Sequence, residues 1–104
     1  MRLEFTTEAR MDLFEAADYY EDKEAGLGYR FRDQIAEVIR IVITAPHLWR
    51  ERSGGYRRVN CPVFPYYLAY VIRNDALVVV AVAHGSRKPG FWHDRLDEPP
   101  KNGA

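Results

Sequence analysis

Cysteine occurs once in the 104 residues, at Cys61, so no disulfide can form within the chain and a fold stapled by cross-links is excluded. Long apolar runs are missing too. The longest stretch without a polar side chain, Ala76 to Ala83, falls well short of the roughly 20 residues that a membrane-spanning helix requires. Met1 to Phe5 carry two charges and run straight into Thr6, Thr7 and Glu8, unlike the apolar core of a signal peptide or an Arg-rich transit helix. The expected location is the cytoplasm, with no membrane partner.

Metal and nucleophile patterns are also lacking. His84 and His93 lie too far apart for the one-turn spacing of helical ligands, His47 has no neighbouring ligand, and Cys61 sits between Asn60 and Pro62. A lone cysteine with scattered histidines makes neither a zinc site nor a nucleophilic triad. No Gly-rich phosphate cradle precedes a helix, so no metal or cofactor is implied.

Excess charge is absent overall, with fifteen Lys and Arg against fifteen Asp and Glu. Since 47% of positions are hydrophobic, the chain can bury a core and wholesale disorder is excluded, although the margin at this size is thin. The balance hides an asymmetry. Residues 1–45 hold six basic and ten acidic side chains, whereas residues 46–104 hold nine basic and five acidic, so any anionic target is expected to meet the second part.

What is present reads as an α+β chain. Arg2 to Phe5 alternates polar and apolar as a short strand with Leu3 and Phe5 inward. Thr6 or Thr7 caps a helix whose apolar stripe is Leu13, Ala16, Ala17 and Tyr20, with Glu8, Asp12, Glu15, Asp18 and Asp22 as an acidic outer stripe. Gly26 and Gly28 turn the chain into a second helix with Phe31, Ile35, Val38, Ile39 and Val42 inward, which Pro46 ends. The short loop makes the two an antiparallel hairpin.

After Pro46 the period changes. Tyr56 to Asn60 reads as a strand that sends Arg57 and Arg58 to opposite faces, and Cys61 to Pro65 as an irregular corner. Tyr66 to Arg73 and Ala76 to Ala83 read as strands joined by an Asn74-Asp75 turn, apolar on both faces. Such strands are normally covered on both sides. One helical pair covers one face, so the other faces solvent or a partner unless the loop after Pro46 and the C-terminal segment fold over it.

The most chemically loaded stretch runs from His84 to His93. Arg57 and Arg58, with Arg87 and Lys88, converge if their strands share a small antiparallel sheet. Guanidinium groups would then fork onto phosphate while Phe91 or Trp92 stacks on a base. The competing reading makes these residues edge-strand charges or partners of the acidic stripe. His84 could act as a general acid or base, or be a satisfied structural residue.

The order strand, helical hairpin, strand, strand hairpin, then His84-Gly85-Ser86-Arg87-Lys88-Pro89 with Trp92 and Arg95, resembles the RelE/ParE superfamily of toxins from bacterial type II toxin-antitoxin modules. The resemblance spans Arg2 to Leu96. It rests on Phe5, Glu8 and Ala9, on Tyr19-Tyr20, on Gly28 with Phe31, on Pro46, on Tyr56-Arg57-Arg58, on Phe64-Pro65-Tyr66 with Tyr70, and on the terminal block. It implies an N-terminal strand and antiparallel helical hairpin packed on a small antiparallel sheet, in one domain over residues 1–96 with a flexible tail over 97–104.

The resemblance also implies a cognate antitoxin that wraps and neutralises the toxin. Two activities occur among such proteins. RelE-like members cut messenger RNA on the ribosome without metal, and ParE-like members inhibit DNA gyrase. As a nuclease, the chain would rely on Arg57, Arg58, His84, Arg87 and His93; residues expected to meet a target are Arg87, Lys88, Trp92 and Arg95. The lysines that RelE-like enzymes carry are missing between Pro46 and Arg58, where Arg50 and Arg52 stand, and Trp92 or His93 occupies the late tyrosine position. An enzyme working on a large polyanion is expected to be basic. With no net charge and a Tyr19-Tyr20 pair, the chain looks more like ParE-type members, so gyrase inhibition ranks first, ribosome-dependent mRNA cleavage second, and a non-toxic or decayed interaction module third.

Overall fold

A computed structural model describes residues 1–87 and 90–97 of the chain. The elements, in order, are β1 (Arg2–Phe5), α1 (Thr7–Lys23), α2 (Leu27–Thr44), β2 (Arg57–Asn60), β3 (Tyr66–Arg73), β4 (Ala76–His84) and a short 3-10 helix (His93–Asp97). Lys88 and most of the expected C-terminal tail, 98–104, lie outside the described residues. Among the described residues no helix is long and apolar enough to cross a membrane, and no cluster of three His, Cys, Asp or Glu could hold a metal.

Thr6 caps α1, its hydroxyl accepting the Ala9 N–H at 3.1 Å, which satisfies one of the donors a helix start leaves open. Gly26, in the left-handed region at φ 89°, then starts α2 at a conformation that costs a glycine little. Glu21 staples the bend, its carboxylate accepting the N–H groups of Gly26 at 2.8 Å and Gly28 at 3.0 Å. Gly28 marks the helix crossing. A Cβ there would stand 2.6 Å from the Ala17 carbonyl oxygen. Phe31, Ile35, Val38 and Val42 are buried along α2, as its 3.6-residue period requires.

The sheet order is β1-β4-β3-β2, with β2–β3 and β3–β4 antiparallel and β1 parallel to β4. The sheet is therefore mixed, not wholly antiparallel as expected. β1 lies at one edge, and this exposure explains a second departure: Phe5 packs into the core, whereas Leu3, expected inward, is 43% exposed.

Asn74 and Asp75 close the β3–β4 hairpin at φ 50° and 63°, the geometry in which two positive-φ residues match the strand twist. Pairing slips once. Ala69 opposes Ala81 and Tyr70 opposes Val79, leaving Val80 as a bulge. Because of that extra residue, Val80 and Ala81 both join the core on the far side of the sheet, while Val79 and Val82 join the core beneath the helices.

Two cores result. Beneath the helices, Tyr20, Phe31, Phe64 and Tyr66 form an aromatic cluster, edge-to-face but for the tilted Tyr20–Phe31 pair, with centroids 4.8 to 6.0 Å apart, pinning the irregular corner before β3 to both helices. Such pairs contribute roughly 0.5–1.5 kcal/mol each beyond area burial. On the far face, Tyr67, Ala69, Val71, Ala76, Val78, Val80, Ala81 and Ala83 pack with Trp92, flanked by Tyr56 and Phe91. That face is not left bare. The C-terminal segment folds back over it, and all of these sheet residues are buried.

Candidate functional site

The turn after β4 and the outer face of α1 bound a groove of about 600 Å³, lined by Glu15, Tyr19, Tyr66, His84, Arg87 and Phe91 among others. His84 ends β4, its ring edge-on to Tyr66 with centroids 5.2 Å apart. The backbone N–H of Ser86 donates to His84 Nδ1 at 3.0 Å, and the Ser86 hydroxyl lies 2.7 Å from the same nitrogen. With Nδ1 accepting from the Ser86 N–H, Nε2 is the ring nitrogen left to donate. Burial pushes the Tyr66 and Tyr20 hydroxyls above the usual phenol range, each further raised by the neighbouring tyrosines, so both enter the groove's chemistry as neutral donors and acceptors.

Arg87 is exposed, and its backbone N–H donates to the His84 carbonyl at 3.0 Å. Its guanidinium lies 3.9 Å from the centre of the Phe91 ring, close enough for a cation–π contact. Gly90, at φ 84°, makes the turn that brings Phe91 back. The groove thus sets the Arg87 cation, on its aromatic platform, beside His84, donors suited to an anionic group, with the Glu15 carboxylate also in its lining.

Two of the residues expected to meet a target are engaged internally. Trp92 is 1% exposed, its indole N–H donating to the Tyr67 hydroxyl at 3.0 Å; it is a core side chain with no face left to stack on a partner. Arg95 donates to Asp12 Oδ2 at 2.7 Å and to the Val80 carbonyl at 3.1 Å, and both members of the ion pair are less than a fifth exposed. Asp12 therefore does not belong to the acidic outer stripe.

The candidate nuclease residues are divided. Arg57 donates from Nε to the Trp49 carbonyl at 2.8 Å, bracing the loop before β2. Arg58 leaves on the opposite face, 3.8 Å over the Tyr67 ring, and lines a different groove between α2 and β2. His93 is exposed beside Tyr56 and Trp92. His84 and Arg87 alone share the groove at the end of β4.

The α2–β2 groove is the larger, about 890 Å³, with Ile41, Trp49, Val63 and Phe64 as apolar lining and Arg52 and Arg58 along it. Ile41 and Val63 are 52% and 73% exposed. Its floor is tied down by Gln34, whose side-chain oxygen accepts both the Val63 and Phe64 N–H groups.

The family model described as ParE toxin of type II toxin-antitoxin system, parDE, matches residues 3–89. The chain belongs to the ParE toxin family. Among curated relatives, Toxin ParE2 of Mycobacterium tuberculosis, in strains CDC 1551 / Oshkosh and ATCC 25618 / H37Rv, is 30% identical over 79 residues that make up 75% of each chain. A solved structure described as the chromosomal ParDE TA system from P. aeruginosa aligns with a TM-score of 0.61 at 14% identity, covering 81% of this chain and 95% of that one. At that identity the likeness concerns the ParE fold alone.

The sequence reading puts Asp12 on the acidic outer stripe and gives Gln34 no role, although the spacing carries a signal for each. Asp12 stands three residues after Ala9 and four before Ala16, both buried, and so lies on the inward stripe of this ParE-family helix. Gln34 stands three after Phe31 and four before Val38, at the same kind of position.

Proposed function

We propose that this chain is a toxin that inhibits DNA gyrase through the donor-rich groove at the end of β4 and is neutralised by a cognate antitoxin seated in the α2–β2 groove. The observation that carries the proposal is the ParE family match over residues 3–89, since ParE-like members of the superfamily act on gyrase. The chain's own residues support gyrase over messenger RNA. A metal-free nuclease needs its acid, base and phosphate-binding groups around one phosphodiester, whereas Arg58 lines one groove and His84 with Arg87 line another.

In the antitoxin seat, Ile41 and Val63 offer exposed apolar contact, and Arg30, Arg52 and Arg58 outnumber Asp33 and Glu37, a small cationic excess that favours an acidic segment. β2 is the outer strand on that side, and among the described residues no strand pairs with its other edge, which suits an extended partner. The structural neighbour is a ParDE TA system, which accords with a two-protein module, and a small domain of this kind gains stability from a partner that covers apolar surface.

Purified protein is expected to inhibit gyrase supercoiling, and the antitoxin is expected to relieve both that inhibition and growth arrest in cells. Codon-positioned mRNA cleavage on ribosomes with gyrase unaffected would replace the gyrase reading by the RelE-like one. Unimpaired growth on induction without antitoxin would leave an interaction module only.

A further inference from the structure

The edge of β4 is built in two parts. β1 covers it from Ala76 to Val79 and leaves after the Thr6 N–H donates to the Val79 carbonyl at 3.0 Å. Beyond the Val80 bulge no strand among the described residues continues on that side, so backbone groups of β4 would lack partners. Two side chains take the place of the missing strand. Asp12 Oδ2 accepts the Val82 N–H at 3.1 Å, and Arg95 Nη1 donates to the Val80 carbonyl at 3.1 Å. The two are joined to each other at 2.7 Å.

This pairing fixes more than an edge. Arg95 belongs to the 3-10 helix that follows Phe91, and its guanidinium lies 5.4 Å from the centre of the Phe91 ring, the same ring that carries Arg87 at 3.9 Å. A continuous set of contacts thus runs from α1 through Asp12, Arg95 and Phe91 to Arg87. Exposed arginines ordinarily sample many rotamers. Here the platform beneath the guanidinium is anchored to a helix and to the central strand.

We infer that Asp12 and Arg95 are positioning residues that hold the Phe91 platform under Arg87 and so set the potency of the toxin, while antitoxin capture in the α2–β2 groove does not depend on them. The inference rests on the proposed role of Arg87 as a target contact. Asp12→Asn keeps an oxygen for the Val82 N–H and removes the charge; Arg95→Met keeps much of the side-chain volume and removes the donors; Arg95→Lys keeps the charge and one donor.

The test compares these variants with Arg87→Ala, each produced with its antitoxin and then separated. Growth arrest and gyrase inhibition measure potency, calorimetric titration measures antitoxin affinity, and 15N relaxation of the Arg87 Nε–H measures how firmly the guanidinium is held. Asp12→Asn and Arg95→Met are expected to lower potency at least about tenfold, on the scale that misplacing a functional group costs. Antitoxin affinity should change less than about twofold, the Arg87 Nε–H order parameter should drop, and Arg95→Lys should recover part of both. Potency and antitoxin affinity falling together would make the pair merely structural and overturn the inference. Unchanged potency and an unchanged order parameter in Arg95→Met, with Arg87→Ala impaired, would overturn it while leaving the role of Arg87 intact. Full potency in Arg87→Ala would remove the parent reading and the inference with it.

Discussion

The indole N–H of Trp92 donates to the hydroxyl of Tyr67 across 3.0 Å, in a contact buried on the far face of the sheet. The bond joins the C-terminal segment to β3 and satisfies two polar groups that would otherwise be desolvated without a partner. Trp92→Phe should cost about 1–3 kcal/mol, the penalty for leaving a buried hydroxyl unmatched. Trp92→Ala should cost about 3–5 kcal/mol, since a cavity is added. Urea denaturation of the separated toxin measures both, and a loss below about 0.5 kcal/mol in Trp92→Ala would mean that the segment is not docked in solution.

Gly28→Ala should destabilise, against the usual rule for helices. Helix propensity alone predicts a gain of about 1 kcal/mol. The added methyl would meet the Ala17 carbonyl oxygen at 2.6 Å and Glu21 at 3.0 Å, and backbone cannot yield as a flexible side chain can. The expected net loss is about 1–3 kcal/mol, with Glu21 losing its bond to the Gly28 N–H. Thermal unfolding distinguishes the signs directly.

Tyr70 donates from its hydroxyl to the Pro46 carbonyl at 2.7 Å, tying the loop after α2 to the middle of the sheet. Tyr70→Phe removes the donor and leaves the ring in place. A loss of about 1 kcal/mol is expected, together with faster amide exchange in the loop from His47 to Arg52, which mass spectrometry can localise.

Alkaline pH should weaken the fold. Burial pushes the Cys61 thiol up to about 11, and burial raises Tyr20, Tyr66 and Tyr70 as well. In the unfolded chain the thiol ionises near 8.5. Above that pH the unfolded state holds fewer protons than the native one, so stability present at lower pH is lost as pH rises toward 11. Urea titrations from pH 7 to 11 should show this decline, shallower in Cys61→Ser. At pH 8 the native thiol should react with iodoacetamide at least about 100-fold more slowly than in urea, because the thiolate is the nucleophile.

The hairpin and the β3–β4 ribbon were legible because their signals are local. Gly26, Pro46 and the Asn74-Asp75 pair stand where backbone geometry demands them, Gly28 stands where α1 leaves no room for a Cβ, and the stripe from Phe31 to Val42 is strictly helical. The partner of β1 was not legible, since a parallel pairing of Arg2 with Ala76 has no local trace. Nor was the bulge at Val80, because an all-apolar strand gives no alternation to break. Arg95 and Trp92 were read as surface because they follow a loop rich in charge, and only the return made at Gly90 shows them to be internal. At the site, two of the candidate residues, His84 and Arg87, share a groove; Asp12 is internal although the charges of its helix read as one outer stripe.

The parallel pairing of β1 with β4 also sets an order of events during synthesis. Arg2 to Phe5 are made first, yet their partners Ala76 to Val79 come after both helices and two further strands. Closing so long a loop is slow relative to local pairing, so the helical hairpin can form well before the sheet's inner edge is covered. Until then β4 presents an apolar strand with an open edge, the kind of surface that recruits another chain. A nascent toxin of this design is therefore most in need of company at the moment its last strand emerges.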